Sequence, residues 1–172
     1  MKQLKQLYRF AEKRNIDVVN FSPPETVSMS LQSPEGSCYI AMDPHLPSEA
    51  AERVHLSHEL GHCVTGSFYC RQARQDLRQR HENRADKWAI RKLIPAGELD
   101  DAVAAGHTDL WDLAEYFGVT EPFMRKAVSL LAHAFGRHVV RCEELAPCLF
   151  RIQTRLAPHA LDGIRHLFLG DG

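Results

Sequence analysis

The chain has 172 residues, of which 44% are hydrophobic, 25% charged and 8% aromatic. This is the make-up of a folded protein with one domain or a core plus a small appendage, and it excludes disordered, collagen-like and coiled-coil chains. The 21 basic side chains balance 22 acidic ones for a net charge of -1, so a broad electrostatic surface for nucleic acid is excluded as well.

In chain order, Leu4, Leu7, Tyr8 and Ala11 recur at helical intervals and predict an amphipathic first helix over residues 2–14. Between residues 16 and 43 the runs IDVVNF, TVSMSL and SCYIAM are broken by Pro23-Pro24 and by Ser33-Pro34-Glu35-Gly36, which predicts a small β-meander. Ser48, followed by Glu49 and Glu52, marks a capped helix start, and Gly66 suits its left-handed end. Residues 67–77 read as a loop or frayed helix. A further helix is predicted from about Gln79 to Leu93, stopped by Pro95. Three short helical patterns follow at 97–105, 109–117 and 120–134, punctuated by Gly106 and Gly118. Residues 139–172 give no assignable pattern.

No stretch approaches the ~18 apolar residues of a membrane span. The charged opening MKQLKQLYRFAEKRN lacks the apolar centre of a secretion signal, so a cytosolic protein is expected. The five cysteines, Cys38, Cys63, Cys70, Cys142 and Cys148, are odd in number and not spaced as a disulfide framework. They are expected to be reduced thiols acting as small apolar residues.

The chemistry is concentrated at His58-Glu59-Leu60-Gly61-His62, an HExxH motif inside the predicted 48–66 helix. Four residues advance a helix by about 400°, so His58 and His62 project from adjacent turns only about 40° apart and can grip one metal ion. Glu59 then stands beside the metal without being a ligand, where a general base is needed. A catalytic zinc typically takes a third protein ligand, and Glu82 is the candidate. Asp86, one turn further along the same helix face, is placed to accept the spare N–H of a ligating histidine. Gly61, Ala85 and Ala89 are small enough to let the two helices approach closely. A metzincin is excluded, because Thr65 and Phe68 stand where that motif needs glycine and histidine.

The segments HLSHELGH and ENRADKWAIRKLIP, with the preceding CYIAMD and the following DLWDLAEYFGVTEPFMRKAV, resemble the ImmA/IrrE family of metallo-endopeptidases over roughly residues 36–132. The resemblance implies a zincin-like helix pair, with His58, His62 and Glu82 as zinc ligands and Glu59 as catalytic base. It also implies a protein substrate of the helix-turn-helix repressor type, cleaved to relieve repression of mobile-element or stress-response genes. An oxyanion donor is expected among Tyr69, His107 and His138, with no spacing to select one. The strand 38–42 is a candidate edge for an extended substrate.

Three other readings compete. A peptide deformylase would use a cysteine ligand, faintly matched by Glu35-Gly36-Ser37-Cys38, but its glycine-rich N-terminal segment is missing and it leaves Glu82 and Asp86 unexplained. A DNA-binding or protein-interaction module would use the helix-turn-helix-like segment 109–132. There Asp109, Asp112, Glu115 and Glu121 outnumber Arg125 and Lys126, the wrong sign for phosphate contacts. A purely structural zinc would have no use for Glu59. The basic run Arg71, Arg74, Arg78, Arg80 and Arg84 is either a solvated helix face or a steering surface for an acidic substrate.

The expected fold is therefore α+β: a metal helix and a glutamate helix on a small twisted sheet over residues 1–96, then a helical, helix-turn-helix-like subdomain and tail over 97–172. The expected activity is zinc-dependent endopeptidase cleavage, without membrane or direct nucleic-acid contact. The oligomeric state is left open.

Overall fold

A computed structural model describes residues 2–70 and 72–135. These comprise α1 (Lys2–Lys13), β1 (Ile16–Asn20), β2 (Ser28–Gln32), β3 (Cys38–Met42), α2 (Glu49–Thr65), α3 (Gln75–Leu93), α4 (Ala96–Ala104), α5 (Leu110–Phe117) and α6 (Glu121–Phe135). The fold is α+β, and the described residues form two compact units that divide between Leu93 and Ile94. His138, Cys142, Cys148 and the tail 139–172 lie outside the described residues.

The sheet is not a meander. Its order is β1-β3-β2, with β1 parallel to β3 and β2 antiparallel to it. Alternating apolar residues identify a strand but not its neighbour, and here the chain from 21 to 37 carries β2 past β3's far side so that β1 and β3 run the same way. The β2–β3 hairpin closes on Ser33-Pro34-Glu35-Gly36, where Gly36 takes a φ of 90° and donates its N–H to the Ser33 carbonyl. Because β3 is the central strand, with partners on both sides, it has no free edge, and the expectation that 38–42 receives a substrate strand is overturned. Among the described residues the open edges belong to β1 and β2.

Alternation along the strands sends Cys38, Ile40 and Met42 into the core, where α2 packs across β2 and β3. Leu56 and Leu60 of α2 and Ile90 of α3 are fully buried, each contributing about 1.5–3 kcal/mol. The predicted stripe of α1 faces inward, with Leu7 and Ala11 buried, and the Tyr8 hydroxyl donates to the Glu52 carboxylate at 2.5 Å, tying α1 to α2.

Helix α2 begins and ends where its caps predict. The Ser48 side chain accepts from the Ala51 N–H at 3.1 Å, and Gly66 closes the helix with φ 63°. Helix α3 starts a turn earlier than its apolar period suggested, at Gln75. Residues 74–80 are all exposed, so this turn has no buried face and leaves no periodic signal.

Cys38 and Cys63 are joined by a disulfide, with Cα atoms 5.9 Å apart, and this corrects the expectation of free thiols at both. Their pairing depends on β3 lying under the last turn of α2, which the 25-residue separation does not reveal. Cys70 is free and exposed.

In the second unit α5 packs against α6, and Ala102, Leu113, Ala114, Phe117, Val119, Met124 and Ala127 are all buried. Leu113, Ala114, Val119, Met124 and Ala127 of the helix-turn-helix-like segment 109–132 are thus core residues of this unit. Gly118, at φ 58°, makes the turn between α5 and α6.

Candidate metal centre

The site is assembled from two antiparallel helices whose backbones nearly touch. A Cβ added to Gly61 would lie 2.6 Å from the Ala85 carbonyl oxygen and 2.9 Å from the Ala85 Cα, so the pairing of glycine with alanine sets how closely α2 and α3 approach. On either side of that contact stand the site residues: His58, Glu59 and His62 on α2, Glu82 and Asp86 on α3.

The structure brings the predicted trio together. His58 Nε2 lies 3.1 Å from His62 Nε2 and 3.1 Å from Glu82 Oε2, while His62 Nε2 lies 3.4 Å from Glu82 Oε1. One donor atom from each residue falls within 4.8 Å of the others. Ligands placed tetrahedrally about 2.1 Å from a zinc ion would be separated by about 3.4 Å, so the spacing and the N,N,O donor set both fit a divalent metal of this kind.

The other ring nitrogens are already committed. His58 Nδ1 donates to Asp86 Oδ1 at 3.0 Å, as the one-turn offset between Glu82 and Asp86 led us to expect, and His62 Nδ1 donates to the Ser67 carbonyl at 2.7 Å. With each Nδ1 carrying its hydrogen toward an acceptor, the two Nε2 atoms turn toward one another, an arrangement that could hold a shared cation. The surrounding charge says the same. Burial pulls the His58 imidazole down, but its bonds to Asp86 and Glu82 raise it further, to about 10. Burial favours the neutral form of Glu82, and the contacts from His58, His62 and Tyr69 outweigh it and hold the carboxyl well below the usual carboxylate range.

Glu59 is buried beside this cluster. Its Oε1 accepts from the Ser28 hydroxyl at 2.8 Å, and the Ser28 oxygen is 3.2 Å from His55 Nδ1. Since the single hydroxyl hydrogen goes to Glu59, His55 is the donor to Ser28. Burial depresses His55 below the ordinary histidine range, consistent with a neutral ring in that role. Sequence reasoning missed Ser28 and His55 because nothing in the chain announces that β2 will lie against α2.

Of the three oxyanion candidates, Tyr69 stands at the cluster. Its hydroxyl donates to Glu82 Oε1 at 2.5 Å, and its ring meets His62 edge-on with centroids 6.3 Å apart. Burial first, then the Glu82 carboxylate, raise its hydroxyl to about 12. His107 is in the second unit, bonded to Asp112 at 2.9 Å and packed on Tyr116. His138 lies outside the described residues.

An α+β core that presents an HExxH helix and a glutamate helix, with two imidazoles and a carboxylate converging, defines a metallopeptidase-like domain. The chain matches the family model of Peptidase_M78, the IrrE N-terminal-like domain, over residues 11–129, and it belongs to that family. No curated protein and no solved structure matches it significantly. Family and fold together make this a peptidase-type hydrolase domain. No helix among the described residues is long and apolar enough to cross a membrane.

Proposed function

We propose that the chain is a zinc-dependent endopeptidase acting in the cytosol on a protein substrate, a helix-turn-helix transcriptional repressor of a mobile element or stress regulon. The observation that carries this reading is the convergence of His58, His62 and Glu82 within 4.8 Å, next to a buried glutamate that is not itself part of the donor set. The family supplies the peptidase class, and the resemblance to ImmA/IrrE endopeptidases supplies the repressor.

When bound, zinc supplies the Lewis acid that acidifies water and polarises the scissile carbonyl. His58, His62 and Glu82 would hold it, with Asp86 and the Ser67 carbonyl fixing the two rings. Glu59 takes the proton of the attacking water and returns it to the leaving amine. Ser28 keeps the Glu59 carboxylate in one rotamer for both transfers. The substrate backbone adds to the open edge of β2, the strand that carries Ser28. The second unit serves as a helical packing element rather than a nucleic-acid reader, since its charge repels phosphate.

The test is incubation of the purified chain with a helix-turn-helix repressor, any encoded beside it being the first to try. Glu59→Gln is expected to retain zinc and lose cleavage, while Glu82→Ala binds zinc more weakly. Equal zinc content and equal turnover in both variants would refute the assignment.

A further inference from the structure

Each of the two candidate imidazole ligands has one nitrogen facing the common centre and the other held from behind. For His58 the holder is Asp86, and for His62 it is the Ser67 carbonyl. Both bonds fix an imidazole. The carboxylate of Glu82 needs the same service more, because it lies on the more exposed helix and has two equivalent oxygens to offer.

The geometry points to Tyr69 as the positioning residue for Glu82: its hydroxyl engages Oε1 and so orients this carboxylate as the third metal ligand. Tyr69 rests on the short segment that follows the Gly66 cap, two residues beyond the Ser67 carbonyl that holds His62. This one stretch of chain therefore secures one ligand from each helix. The tyrosine ring is itself fixed, edge-on to His62 on one side and tilted against His81 on the other, with centroids 6.0 Å apart. Its hydroxyl hydrogen is committed to Oε1 at 2.5 Å, the oxygen that also lies 3.4 Å from His62 Nε2, while Oε2 faces His58 Nε2 at 3.1 Å. A tyrosine kept for a developing oxyanion would have to surrender this bond and free Glu82 at the moment the metal is most needed.

The inference rests on the metal-centre reading, and the test separates the two. The full chain, stripped of metal, is titrated with zinc against a chromophoric chelator in four forms: wild type, Tyr69→Phe, Glu82→Ala and the double variant. Loss of a partner behind a ligand costs about 10- to 100-fold in metal affinity. Tyr69→Phe is expected to weaken zinc by that factor in the wild-type background and to add less than twofold once Glu82 is gone. The phenyl ring keeps the packing on His62 and His81, and the unfolding transition of the metal-free variants checks that the fold is intact. Wild-type affinity in Tyr69→Phe would overturn the inference, as would an equal loss in both backgrounds, which would show Tyr69 acting through the fold instead of through Glu82. If the wild type takes no zinc, or Glu82→Ala binds as tightly as wild type, the metal centre itself fails and this inference fails with it.

Discussion

Replacing Gly61 by alanine tests how the site is built, because two effects of known size oppose each other there. Gly61 lies inside α2, where alanine is the better helix former by about 0.5–1 kcal/mol. Against that gain, the new methyl carbon would stand 2.6 Å from the Ala85 carbonyl oxygen, about 0.8 Å short of the 3.4 Å at which ordinary contact begins. The obstacle is backbone, including the Ala85 Cα at 2.9 Å, so no side chain can swing aside and the helices must separate. Overpacking of this kind costs about 1–3 kcal/mol, and with a rigid neighbour the upper half of that range applies. The metal-free variant should therefore be about 1–2.5 kcal/mol less stable than wild type, read from urea unfolding midpoints at constant slope. The candidate ligands should suffer more than the fold. A shift approaching 0.8 Å between α2 and α3 moves Glu82 away from both imidazoles, whereas metal sites tolerate about 0.2 Å. Zinc affinity should fall at least tenfold in a chelator competition. A variant as stable as wild type with unchanged zinc affinity would refute the close-contact argument.

Three other outcomes follow from contacts in the same unit. Ser28→Ala removes a hydrogen bond to a charged carboxylate, an interaction of about 1.5–3 kcal/mol, and should lower kcat roughly tenfold or more while zinc affinity stays put; a change confined to KM would count against the role given to Ser28. In the metal-free protein His58 is raised to about 10, above its unfolded value of about 6.5, so its charged form stabilises the fold fully below that value and the benefit is lost as pH climbs toward 10. At pH 7 zinc must therefore displace a proton from His58, and calorimetric titration in two buffers of different ionisation heat should show that release; heats independent of buffer would contradict it. The Cys38–Cys63 bond closes a separation of 25 residues, for which chain-entropy arguments give about 3.5 kcal/mol. Adding reductant should lower the urea midpoint of the wild type but leave a Cys38→Ser variant unmoved, and the same midpoint for the wild type with and without reductant would show that the pair does not form.

What could be read in advance was local. The i, i+4 spacing of His58 and His62, and of Glu82 and Asp86, fixes which side chains share a helix face whatever surrounds them, since the helix repeat alone decides it. Ser48, Gly66 and Pro95 mark helix ends through short-range hydrogen bonding and backbone preference, and α2 and α3 end accordingly. The two small residues Gly61 and Ala85 even announced that the helices would touch. Docking decided the rest. Ser28 reaches Glu59 across 31 positions, Cys38 reaches Cys63 across 25, and Tyr69 reaches Glu82 across 13, separations that match no helical or strand period. β3 lies at the centre of the sheet rather than at its edge for the same reason: strand order depends on which surfaces the helices bury, and alternating side chains say only that a face exists, not what will come to lie against it.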